Sequence, residues 1–123
     1  MDTNRLIDFF RSDPGVVDTL ERAEEIYVSF VTLAEIKSGF RAGTRRPENE
    51  RLLRSLLAKS DVDVLFPDHE TTDGCAQLVA ELRKAGTPIP TNDLWIASLA
   101  LQHNLALFTR DSHFDRIPQL VTV

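Results

Sequence analysis

Four carboxylates occur in this 123-residue chain at positions from which a metal site can be assembled: Asp2, Glu35, Asp93 and Asp111. Glu35 follows a β-branched and aromatic run ending near Phe30, and Asp111 follows an apolar run ending at Thr109. Asp2 opens the first helical pattern, and Asp93 begins another after the loop 87–91. If the apolar runs are parallel strands, all four acids fall where strands hand over to helices, the edge at which open α/β sheets bind ligands. Carboxylates gathered there repel, each pair at about 4 Å by about 1 kcal/mol in water and about 4 kcal/mol at an intermediate dielectric. A cation relieves that repulsion. Oxygen ligation without a paired Cys or His set favours magnesium or manganese over zinc. Such an ion activates a water and neutralises charge on an attacked phosphate, so the chemistry expected is metal-dependent phosphodiester hydrolysis.

Each acid also has a purely structural explanation. Thr32-Leu33-Ala34-Glu35 has the spacing of a capping box, in which Glu35 returns a hydrogen bond to the Thr32 amide. Asp93 and Asp111 offset helix N-terminal dipoles, an effect of about 0.3 to 1 kcal/mol each, and Asp2 is then an unordered terminus. The two explanations are compatible, because a cap position points its carboxylate out of the strand edge.

The elements that position these residues can be read from periodicity and punctuation. Helices are predicted over 4–11 and 15–23, the second with an Asp13-Pro14 start. A strand over 26–30 leads into a helix capped by Thr32 that runs to about Phe40 and stops at Gly43. Residues 47–60 place Leu52, Leu53, Leu56 and Leu57 at helical spacing. A second strand over 62–66 ends at Pro67, and an amphipathic helix over 68–85 closes at Gly86. A mostly apolar helix over 92–103, with Asn104 as its cap, precedes strands at 105–109 and 120–123. Alternating strands and helices predict a mainly parallel α/β sheet flanked by helices on both faces, in one domain spanning 1–123.

Composition supports a soluble domain: 42% of the residues are hydrophobic and 27% charged. Cys75 has no partner in the chain and shares an apolar helical face with Leu78, Val79 and Leu82, so it reads as a buried structural thiol. No apolar run reaches membrane-spanning length and the start lacks a signal-peptide pattern, which predicts a cytoplasmic protein. The net charge of −5 conceals an asymmetry: segment 37–59 carries seven basic residues against Glu48 and Glu50, while the rest holds 7 basic and 17 acidic residues. That segment is suited to a nucleic-acid backbone or an acidic partner, with a solvated helix surface as the alternative. Trp95 reads as core rather than a base-stacking platform. His69, His103 and His113 share no zinc spacing and receive no role. No glycine-rich phosphate loop is present.

Taken in order, the strings Asp2-Thr3-Asn4, Leu6-Ile7-Asp8-Phe9-Phe10, Val31-Thr32-Leu33-Ala34-Glu35-Ile36, Asn92-Asp93-Leu94-Trp95-Ile96-Ala97 and Thr109-Arg110-Asp111 with Phe114 closely resemble the PIN-domain family, in particular the VapC toxins of bacterial toxin–antitoxin pairs. The resemblance implies an endoribonuclease that cleaves RNA by metal-activated water, with magnesium or manganese held by Asp2, Glu35, Asp93 and Asp111. It also implies a cognate antitoxin and a homodimer. Asn4, Thr109 and Asp115 match or adjoin polar positions that orient carboxylates or water, Asp115 having a solvent-facing acid beside Arg116 as its alternative. Lys37, Arg41, Arg45 and Arg46 fall in the helical pair that meets RNA or antitoxin. The chain departs from the family pattern at its start: only Met1 precedes Asp2, so the family's first strand reads as truncated. A catalytically inactive PIN-like module that binds RNA or antitoxin is the competing reading. A phosphatase with Asp2 as nucleophile is disfavoured because Asn4 stands where a second acid is wanted.

Overall fold

The computed structural model describes residues 1–123, which form two compact units, Met1–Leu65 and Phe66–Val123. The expected α/β class is observed.

In the first unit, helices α1 (Thr3–Phe10) and α2 (Pro14–Arg22) precede strand β1 (Ile26–Ser29), and helices α3 (Phe30–Ala42) and α4 (Arg46–Leu57) separate it from strand β2 (Val62–Leu65). The strands pair in parallel, with Ile26 opposite Val62 and Ser29 opposite Leu65. Intervening helices are what a parallel pair requires, because no tight turn can return the chain to the same end. Asp13 caps α2 through the amides of Gly15 and Val16, and Pro14 occupies the first turn, where its missing N–H costs nothing. The unit's core is built from Leu6, Val16, Val28, Ile36, Phe40 and Leu56, all buried. Phe10 packs its ring on Phe40 at a centroid separation of 5.6 Å.

One expectation is corrected here. The cap of α3 is Ser29, whose hydroxyl accepts from the Thr32 amide at 3.1 Å, so Thr32 lies inside the helix and the predicted Thr32–Glu35 box does not form. A hydroxyl at the last strand position captures the free amides of the helix three residues earlier than the apolar pattern suggested. Of the α4 leucines, Leu53 and Leu56 are buried whereas Leu52 is exposed. No strand precedes α1. Met1 instead donates from its α-ammonium to the Tyr27 carbonyl on β1 at 3.0 Å.

The second unit contains α5 (His69–Ala85), α6 (Thr91–Gln102) and a 3₁₀ turn (Ser112–Arg116). Asp68 and Thr71 form a reciprocal capping box at the start of α5, and Gln102 of α6 donates to Asp68 at 3.0 Å. Gly86 ends α5 with φ of 72°, a backbone state that only glycine takes without cost. Helix α6 is apolar on nearly every side, and Leu94 and the run from Ile96 to Ala100 are buried. The predicted strands at 105–109 and 120–123 are reduced to one parallel bridge, Leu107 to Thr122. Turns flank the pairing on both sides. Asn104 takes a left-handed conformation (φ 53°) just before it, and the Asp111 amide bonds the Thr109 hydroxyl just after it. Cys75 is half-buried, not buried, because it borders a hollow of about 300 Å³ lined also by Leu82, Ile89, Leu94 and Trp95.

Candidate metal centre

The second unit brings two of the predicted acids together. Asp93 lies in the first turn of α6, where the N-terminal dipole favours a carboxylate. Asp111 caps the 3₁₀ turn, accepting from the His113 amide at 2.9 Å, while its own amide donates to Thr109 Oγ1 at 2.9 Å. Thr109 is buried, so this hydroxyl fixes where the Asp111 backbone leaves the bridge. The turn delivers His113 to both acids: its Nδ1 stands 3.0 Å from Asp93 Oδ2 and 3.4 Å from Asp111 Oδ1. Phe114 and Ile117 anchor the turn, each almost wholly buried.

One ligand atom from each of Asp93, Asp111 and His113 lies within 4.8 Å of the others. Donors sharing one ion at bonds of about 2.1 Å stand at most about 4.2 Å apart, so these three need only small rotations to hold one. The donor set is anionic, half-buried and chemically suited to a divalent cation. His113 has no zinc-type spacing in the sequence to mark it as a ligand. The spacing Asp111-Ser112-His113 on a short turn after an apolar run was the available signal.

The first unit holds the other two acids differently. Asp2 is buried at 4% exposure and caps α1, its Oδ1 accepting from the Arg5 amide at 3.0 Å. Burial pushes the Met1 α-ammonium down to about 6, against the opposing pull of the Asp2 charge. Glu35 is exposed on α3 and accepts at Oε1 from Thr3 Oγ1 at 2.9 Å. Behind it runs a set of hydroxyls, with Thr3 Oγ1 3.5 Å from Thr32 Oγ1 and Ser29 Oγ 3.2 Å from Thr32 Oγ1. Thr3, next to the first acid, is therefore the residue that touches Glu35. Asn4, singled out from the sequence, is exposed on α1. Asp115 is also exposed, and Arg116 donates from Nη1 to the Pro88 carbonyl at 2.7 Å.

The basic residues divide into two groups. Lys37 and Arg41 join Arg54, Glu50 and Leu53 around a cleft of about 320 Å³ between α3 and α4. Arg45, which precedes α4, and Arg46, its first residue, make ion pairs into that helix, to Glu48 at 3.5 Å and Glu50 at 2.8 Å. The Arg46 hydrogen bond holds the Glu50 carboxyl below its ordinary range.

The PIN domain family model matches residues 1–120. The chain belongs to the PIN-domain family. Ribonuclease VapC1 of Haemophilus influenzae (strain R2866) is 31% identical over 125 residues, covering 98% of this PIN domain and 92% of the relative. Among solved structures, VapBC-1 from nontypeable Haemophilus influenzae superposes with a TM-score of 0.85 at 29% identity, covering 99% of this chain and 93% of that one. A toxin–antitoxin complex from Klebsiella pneumoniae matches with a TM-score of 0.77 at 26% identity, over 98% of this PIN domain and 93% of that chain.

Proposed function

We propose that this PIN domain is a divalent-metal-dependent endoribonuclease of VapC type, the toxin of a toxin–antitoxin pair acting in the cytoplasm, with 1–123 as its one domain. The observation that carries the reading is the convergence of Asp93, Asp111 and His113 donor atoms in a chain whose relative is named a ribonuclease. The resemblance gives Asp2 and Glu35 a metal-binding role as well. A bound magnesium or manganese ion supplies an activated water and charge neutralisation at the scissile phosphate.

The chain's own residues have separable tasks. Thr109 holds the backbone of Asp111, and Thr3 holds one Glu35 oxygen, so each acid presents a defined face. Lys37 and Arg41, beside Arg54, are suited to phosphate or to an acidic antitoxin segment. Arg45 and Arg46, already paired to Glu48 and Glu50 of α4, contribute charge at longer range. Asn4 and Asp115 lie on exposed surface and have at most an outer-sphere part. Phosphate contacts of this kind make RNA binding fall steeply with salt. The antitoxin partner is supported by the related toxin–antitoxin complex, and the homodimer by resemblance alone. No helix is long and apolar enough to cross a membrane.

The test is digestion of single-stranded RNA by the purified chain with magnesium, with manganese and with chelator. Cleavage that requires the ion and is blocked by Asp93→Asn is the expected result. Metal binding without any cleavage would replace this reading by that of a non-catalytic RNA- or antitoxin-binding module.

A further inference from the structure

His113 is the one group in the Asp93–Asp111 cluster that brings nitrogen to a set of oxygens. Both atoms it faces, Asp93 Oδ2 and Asp111 Oδ1, are acceptors, so Nδ1 carries the proton in the metal-free chain. Its place is over-determined: its own amide bonds the Asp111 carboxylate, and the next side chain, Phe114, is buried.

We infer that His113 is a metal ligand through Nδ1, its proton passing to Nε2, and that it makes this centre select manganese over magnesium. The inference rests on the metal-site reading above and extends it to the choice of ion. Magnesium keeps to oxygen ligands, whereas first-row transition ions gain affinity from imidazole. An Asp–Asp–His set therefore discriminates between two ions that an all-carboxylate set would treat more alike.

The experiment binds manganese alone, and separately magnesium alone, to the full chain stripped with chelator. It records pulsed electron paramagnetic resonance of the manganese complex and both dissociation constants. The expected result is nitrogen hyperfine modulation in the native chain, retained when His69 and His103 are both replaced by Gln and lost in His113→Gln. Manganese affinity falls about 10-fold or more in His113→Gln, and magnesium affinity changes less than about 2-fold. The double variant keeps the assignment testable if His113→Gln does not fold. Bound manganese with no nitrogen modulation, or modulation that persists without His113, overturns this inference and leaves the carboxylate reading standing. A native chain that binds no manganese overturns both.

Discussion

The two units hold their acids by different means. In the first, oxygen meets oxygen: Asp2 is consumed in part by a helix cap, and Glu35 is held by a hydroxyl that is itself backed by Thr32 and Ser29. In the second, Asp93 and Asp111 face each other across an imidazole, with ligand atoms gathered within 4.8 Å. Hydroxyls orient a carboxylate without changing local charge. The imidazole stands within reach of both carboxylates at once, 3.0 Å from Asp93 Oδ2 and 3.4 Å from Asp111 Oδ1, and so ties the two acids to one ring. The second unit accordingly gathers its donor atoms into one cluster, while the first positions its acids one by one.

The contrast can be broken most forcefully at Asp93. Asp93→Asn should lower RNA cleavage by more than the roughly 10–100-fold that loss of an outer-sphere partner costs. The same variant should melt no lower than the native chain in chelator, since one repelling charge is gone. Digestion gels and thermal melts check both. Unchanged digestion removes the acid from the site. Next in size is the ion itself: manganese at about 100 times its dissociation constant should stabilise the folded chain by about 2.7 kcal/mol, seen as a rise of several degrees in Tm. Equal Tm in chelator and in excess manganese would mean that the gathered donors hold no ion.

A smaller effect is expected where a hydroxyl does the positioning. Thr3→Ala should reduce kcat about 10-fold with little change in KM, and Thr3→Ser should restore it. A loss that Ser does not rescue would point to packing at α1 instead. The smallest effect sharpens the comparison from outside either cluster. Asp68 is held below its ordinary 3.8 by the Thr71 amide and then by Gln102. A lowered carboxylate contributes stability above that ordinary value and loses it as pH falls through the folded one. Asp68→Ala should therefore lower Tm by a few degrees at neutral pH, a gap that closes in acid, with metal binding unaffected. A gap that stays constant with pH would assign the loss to the α5 box geometry alone.

Most local structure was legible along the chain, because its signals lie within a few residues of one another. Asp13-Pro14 starting α2, Asp68 capping α5 and Gly86 ending it all act through neighbouring amides or a single φ angle. The α3 cap was misplaced by three residues because Ser29 and Thr32 are both competent caps, and the backbone bend that chooses between them is made by β1. The strands after Asn104 shrank to a bridge, their backbone bonds running only between Leu107 or Thr109 and Val121 or Val123.

By itself, then, the order of residues specified the α/β class, the family and most of the helices with their caps, since periodicity, caps and family strings are carried by near neighbours. Only the tertiary structure decided which side chains touch those acids. Thr3 reaches Glu35 across 32 positions and His113 reaches Asp93 across 20. Contacts at that separation follow from helix packing and from where a buried Phe114 anchors a turn, and no local pattern encodes those.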